Sequence, residues 1–333
     1  MDLRKLYWLS LQHTAELIKK NRPLYNRFNS IYCFFQQKRN HGIYAININS
    51  TNGFFAQLNW CIYIFDYCDH LGLRPFIHLS SPFYTVKAGD NWLDYFFTQN
   101  QATKIDKDIL DNKAIIFSEI SEINQLWNAS KISEKMSLNH ANYLLNKYLT
   151  ISNDIQQYVN LFVQENFSLN GTLGIHFRGT DKTSEASRVK WEYVKQCISN
   201  YLEKHNQVDT IFVASDEIAF IEWIKAEFNY RLRVVSHNDQ EISRDGKPIH
   251  ANPNKGCNYT KGKEALINCL LLSKCDALVR TASFLSGWAS IFNPTMPVIM
   301  LNKPYTQTTW FPDKVILQNS LSSYLPHETS KSS

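Results

Sequence analysis

Hydrophobic and polar positions change rhythm repeatedly along this chain, and each change predicts an element. Gly42 to Ile48 alternates weakly and reads as a strand. A turn, Asn49-Ser50-Thr51-Asn52-Gly53, leads into an apolar-periodic segment from Phe54 to Leu71 that predicts a helix, with Gly72 as its C-cap. Arg74 to Leu79 reads as a second strand, stopped by Ser80-Ser81-Pro82. Strand, helix and strand in this order predict a βαβ unit and a parallel sheet. Ala114 to Ser118 is a further candidate strand, and Met136 to Glu165 reads as mostly helix.

A second α/β series follows. Leu173 to Phe177, Thr210 to Ala214, Arg231 to Ser236, Asp276 to Val279 and Val298 to Leu301 read as strands. Val189 to Lys204, Glu217 to Phe228, Lys263 to Lys274 and a segment from Ser283 onward read as helices. The polar run from Gln240 to Lys261, with Gly246, Pro248, Pro253 and Gly256, reads as a long loop of the kind that carries function. The fold class expected is α/β, two Rossmann-like domains joined near residues 150–172, with parallel sheets facing a cleft. Ser320 to Ser333 reads as a frayed tail.

Composition narrows the function. The 333 residues are 44% hydrophobic and 20% charged, a globular balance. A net charge of +5 suits an anionic small molecule or a membrane surface and is too weak to argue for nucleic acid. No apolar run reaches the ~18 residues of a membrane span. Met1 to Lys20 lacks the apolar core of a signal peptide and reads as a modestly amphipathic helix, for core packing or for peripheral membrane contact. Seven cysteines, an odd number without a CxxC pair, disfavour zinc and fit a reducing compartment. The expected location is cytoplasmic, with room for peripheral contact on the inner face of a membrane.

The chemistry concentrates at strand ends. The buried strand Leu173 to Phe177 ends abruptly in Arg178, Gly179, Asp181 and Lys182. Charges at the end of a buried strand are a costly placement, and open α/β sheets bind ligands there. An arginine and a lysine suggest an anionic ligand, and a diphosphate fits best; a surface turn with an ion pair is the alternative. Two more strand ends are polar, Ser215-Asp216-Glu217 and Thr281 with Ser283. In a parallel sheet all three lie on one edge, where Asp216 and Ser283 could also serve as helix caps. Asp66 and Asp69 fall inside an apolar helix and read as solvated or paired, so no carboxylate set for a metal is expected. GxxxxGK[ST], GxSxG and HExxH are all missing, as is GxGxxG followed by an acidic residue, which argues against P-loop kinases, two hydrolase classes and dinucleotide enzymes.

Gly174 to Lys182, with His176, Arg178, Asp181 and Lys182, resembles the His-x-Arg-x-x-Asp-Lys block of the fucosyltransferase superfamily that includes the α-1,6-fucosyltransferases, nodulation fucosyltransferases and protein O-fucosyltransferases. Phe212 to Glu217 is similar to that family's second block, and Leu270 to Ser286 to its third. Gly53 followed by Gln57-Leu58 is similar to its first glycine loop. The resemblance implies a GT-B fold, with residues 1–165 as an acceptor-side domain, 166–320 as a donor domain and 321–333 as a flexible tail. It implies an inverting, metal-independent transfer of fucose from GDP-fucose to a glycan hydroxyl, with no cofactor. Arg178 would hold the β-phosphate, His176 would face guanine, and Ser283 and the backbone near Gly53 would contact the diphosphate. Lys182, Asp216, Glu217 and Thr281 would complete the donor site. Asn268 aligns with a carboxylate that binds guanine in α-1,6 members, and Gly179 stands where the family often has a second arginine. Glu185 and Asp181 are the candidate bases that accept the acceptor's proton. Another nucleotide sugar as donor, or a non-catalytic binding module on the same fold, are the alternatives.

Overall fold

A computed structural model describes residues 43–100, 135–179, 185–239, 242–243 and 257–326. The chain enters through β1 (Ile43–Asn49), continues into α1 (Phe54–Leu71) and returns as β2 (Arg74–Ser80). The two strands pair in parallel, from Ile43 opposite Arg74 to Asn49 opposite Ser80, which is the expected βαβ unit. Gly72 ends α1 at φ 66°, a left-handed cap that glycine adopts without steric cost.

Two segments depart from the sequence reading. Met136 to Glu165 is not one helix: α2 (Leu138–Tyr148) and α3 (Asn153–Asn166) flank β4 (Leu149–Ile151), which pairs antiparallel with β3 (Phe97–Gln99). Thr150 and Ile151 are β-branched and Ser152 stands at the N-cap of α3, so the backbone extends between the helices. The apolar rhythm runs on through the break and hides it. The long loop is shorter than expected because α6 (Asn258–Ser273) begins inside it. Gly262 lies on this helix where a Cβ would stand 2.8 Å from the Phe96 ring. Its role is close approach rather than a turn. The first twenty residues, Ala114 to Ser118 and residues 327–333 lie outside the described residues. Part of the expected tail is docked: Asn200 donates to the Tyr324 carbonyl at 3.0 Å, and His205 meets the Tyr324 hydroxyl at 2.9 Å.

The second part is one parallel sheet. β5 (Thr172–Phe177), β6 (Thr210–Ser215), β7 (Arg233–Val235), β8 (Ala277–Arg280) and β9 (Val298–Met300) lie in the spatial order β7-β6-β5-β8-β9. The chain builds outward from β5 through α4 (Trp191–Lys204) and α5 (Ile218–Phe228) to β7. It then crosses back by α6 to β8, and α7 (Phe284–Phe292) leads to β9. The direction of winding reverses between β5 and β8, where such sheets leave a crevice at their carboxyl edge. β5, β6 and β8 are buried at every position, as strands covered on both faces must be. One face packs Ile175, Phe177 and Val213 under α4 and α5, with the Phe177 and Phe220 rings stacked at 4.2 Å. The other packs Phe212, Leu278 and Met300 under α6 and α7, and this cluster runs without a break into α1, β1 and β2.

Candidate active site

β5 delivers His176 and Arg178 to the crevice. His176 is in register with Arg280 on β8. Beyond the ladder the strands stay tied, because Thr281 N–H donates to the His176 carbonyl at 3.0 Å and Arg178 N–H donates to the Thr281 hydroxyl at 2.9 Å. Asp216, from the end of β6, accepts from Gly179 N–H at 3.0 Å, and its other oxygen lies 3.8 Å from Arg178 Nε. That ion pair is loose, and only 19% of the Arg178 side chain is exposed, so water screens its charge poorly. Three of the expected strand ends therefore meet at one corner. Burial and the neighbouring Asp216 push the Glu217 carboxyl up, opposed by Arg188 at 3.6 Å. A Cβ on Gly179 would fall 2.6 Å from the carboxyl of Glu217, the N-cap of α5, so this carboxylate and the turn after β5 are closely packed.

The turn from β8 to α7 brings Thr281 and Ser283. Ser283 occupies the N-cap of α7 but makes no capping bond, and its buried hydroxyl has no partner. A helix N-terminus with a spare hydroxyl is suited to an anion. The turn is held from beneath by Arg280, which is fully buried. Its Nη2 donates to the Ser283 carbonyl and pairs with Asp313 Oδ1, each at 2.7 Å, and its Nε donates to the Thr281 carbonyl at 3.2 Å. Gly287 gives the pair room, since a Cβ there would stand 2.9 Å from Asp313 Oδ1. Arg280 was absent from the sequence reading. Its signal was available, an arginine ending a short apolar strand just as Arg178 does.

His176 is buried and its Nδ1 has no partner. Burial, then Arg280 and Arg178, hold its pKa well below the ordinary value, so the ring is neutral. The unfolded chain takes up a proton below about pH 6.5 that the folded state refuses. Stability is therefore fully present above that pH and falls below it. His176→Asn should flatten this slope, read as the difference in urea midpoint between neutral and mildly acidic buffer.

The first part of the chain carries another expected site residue, Gly53. Gly53 is the N-cap of α1, with open space where a Cβ would project. Phe54 N–H donates to the Tyr84 hydroxyl at 3.0 Å. Burial pushes the Tyr84 pKa up to about 12, partly offset by its bond to Phe54 N–H and by the charge of Arg178. Nothing in the sequence marked Tyr84.

Asn268 is buried on α6. Its Nδ2 donates to Asp239 at 2.7 Å, the other Asp239 oxygen bonds His237, and Asn268 Oδ1 has no partner. Asp239, from beyond β7, thus sets a carboxylate beside Asn268. Glu185 lies with Ser283 and Trp310 along a cleft. Asp181 and Lys182 lie outside the described residues. Asp66 is bound to His140 and Asp69 to Lys147 and Tyr148, the paired reading of those carboxylates. Among the described residues no three His, Cys, Asp or Glu side chains are grouped to hold a metal ion, and no helix is long and apolar enough to cross a membrane.

Among solved structures, NodZ α-1,6-fucosyltransferase soaked with GDP-fucose is similar over 77% of this chain and 94% of its own, at 14% identity and a TM-score of 0.50. The chain has a fucosyltransferase-like fold. FUT1 of Arabidopsis thaliana in complex with GDP is 13% identical, with 90% of this chain and 79% of that one covered and a TM-score of 0.49. POFUT1 in complex with GDP-fucose is 10% identical, with 77% and 98% covered and a TM-score of 0.42. Neither a family model nor a curated protein matches the sequence. Within the fucosyltransferase-like fold, the crevice between β5 and β8 is where the polar strand ends gather.

Proposed function

We propose that this protein is an inverting glycosyltransferase that moves fucose from GDP-fucose to a glycan hydroxyl without a metal. The observation that carries the reading is the convergence of Arg178 and the unpartnered Ser283 hydroxyl, at the start of α7, on the switch-point crevice. A departing diphosphate gains negative charge, and these two groups offer it a fixed positive field. The donor named for NodZ supports GDP-fucose here. His176 would face the base, Gly53 the diphosphate, and Asp216, Glu217, Thr281, Asn268 and Lys182 would complete the donor site. Glu185, or Asp181, would take the acceptor's proton. Residues 1–165 would serve the acceptor side of a GT-B cleft and residues 166–320 the donor side. The six described cysteines are unbonded, which supports a reducing, cytoplasmic setting.

One observation favours a second reading, another nucleotide sugar on the same site. The Asn268 amide is committed to Asp239, so the base meets a donor set unlike the one the resemblance implies. A thermal-shift panel of GDP-, UDP-, CMP- and dTDP-sugars separates the two. At a hundredfold excess over its Kd the true donor adds about 2.7 kcal/mol of stability. GDP-fucose is expected to give the largest shift and to keep it in EDTA. Preference for UDP or CMP would end the fucosyl reading, and loss of activity on chelation, restored by Mn²⁺ or Mg²⁺, would end the metal-free one.

A further inference from the structure

The connection after β9 runs from Asn302 to Trp310 and is laced to the segment that carries Glu185. Pro304 bridges Ala186 in antiparallel fashion. Tyr305 N–H and the Thr308 hydroxyl both donate to the Glu185 carbonyl at 2.8 Å, and Asn302 Nδ2 donates to the Ser187 carbonyl at 2.8 Å. The lacing fixes the Glu185 backbone opposite the start of α7. Between them opens a shallow cleft lined by Glu185, Ser283, Phe284, Pro304, Thr308 and Trp310, with Asp313, held by Arg280, at its base.

Its two ends differ. At the inner end the Ser283 hydroxyl is buried without a partner. At the outer end the Trp310 side chain is 55% exposed, with Tyr305 at 38% beside it in the sequence loop. Packing does not account for a large indole left in water across from a carboxylate and an unused buried hydroxyl.

We propose that Trp310 and Glu185 form the wall that the 166–320 half contributes to the acceptor subsite, the indole taking the C–H face of a monosaccharide ring and Glu185 facing its attacking hydroxyl. The proposal rests on the glycosyltransferase reading above. A pyranose is apolar across its face and polar at its edge, so an aromatic platform with one carboxylate orients the ring. The occupant is the acceptor because the donor diphosphate is drawn to Arg178 and the start of α7, at the inner end. As the new bond forms between the acceptor oxygen and the anomeric carbon, the bond from that carbon to the diphosphate oxygen breaks. The diphosphate leaves with the electron pair, and the hydroxyl proton passes to Glu185.

The test uses GDP-saturated protein and, as probes, methyl glycosides of the common hexoses and N-acetylhexosamines, followed by saturation-transfer NMR. Hydrolysis of GDP-fucose by water and GDP affinity are measured in parallel. Trp310→Ala should weaken the bound glycoside about tenfold or more while Trp310→Phe stays within about threefold, the pattern of an aromatic anchor. GDP affinity and hydrolysis should be unchanged in both. If Trp310→Ala binds every glycoside as the wild type does, or if the wild type binds none, the subsite is overturned while GDP binding leaves the transferase reading intact. Loss of GDP affinity or hydrolysis in Trp310→Ala would assign the indole to the donor and overturn the proposal. A wild type that binds no GDP overturns the transferase reading and the subsite with it.

Discussion

Arg178→Ala is expected to lower transfer by about 10²-fold or more, the usual cost of removing one preorganised group that meets developing charge. The loss should fall on kcat more than on donor KM, because the diphosphate gains its charge while it departs. Arg178→Lys should not restore the rate, since a point charge cannot reproduce the planar fork. The fold should survive. Arg178 is tied to Thr281 through its backbone, which the substitution keeps, and its side-chain pair with Asp216 is loose at 3.8 Å. A thermal melt beside the kinetics separates chemistry from folding. Near-normal turnover in a folded Arg178→Ala protein would remove the central claim.

The largest stability effect is expected at Asp313. Arg280 is fully buried and pairs with Asp313 at 2.7 Å. Removing one member of a buried pair leaves an uncompensated charge and typically costs about 3–5 kcal/mol. Asp313→Ala should show that loss in urea unfolding, with Asp313→Asn intermediate because the amide oxygen still accepts. Since Arg280 also holds the Ser283 carbonyl, GDP affinity should weaken in conditions where the variant remains folded. An unchanged urea midpoint in Asp313→Ala would show that the pair does not anchor the turn.

What the sequence reveals and hides follows from how local each feature is. The parallel strands are legible because their apolar runs end in polar turns, and Arg178, Asp216 and Ser283 sit at those ends. β4 is hidden because three extended residues between two amphipathic helices do not disturb the rhythm. The start of α6 is hidden because Gly262 carries a packing meaning that only the Phe96 ring reveals. Tyr84, Asp239 and Asp313 reach the site from distant positions, and no spacing pattern marks a contact made across the fold. Asn268 was visible as a departure, but its partner Asp239 was not.

The unbroken apolar cluster on one face of the large sheet has a mechanical consequence. The Phe55 and Trp288 rings lie 5.7 Å apart, Asn59 donates to the Phe311 carbonyl at 3.0 Å, and Asn142 donates to the Ile291 carbonyl at 2.9 Å. These contacts join α1 and α2 to α7, and α1 to the segment before the last helix, through one apolar interior. Swinging the first part of the chain away on a hinge would tear that interior open, at a cost of the order of unfolding itself. The described body behind the carboxyl edge of the sheet therefore works as an anvil.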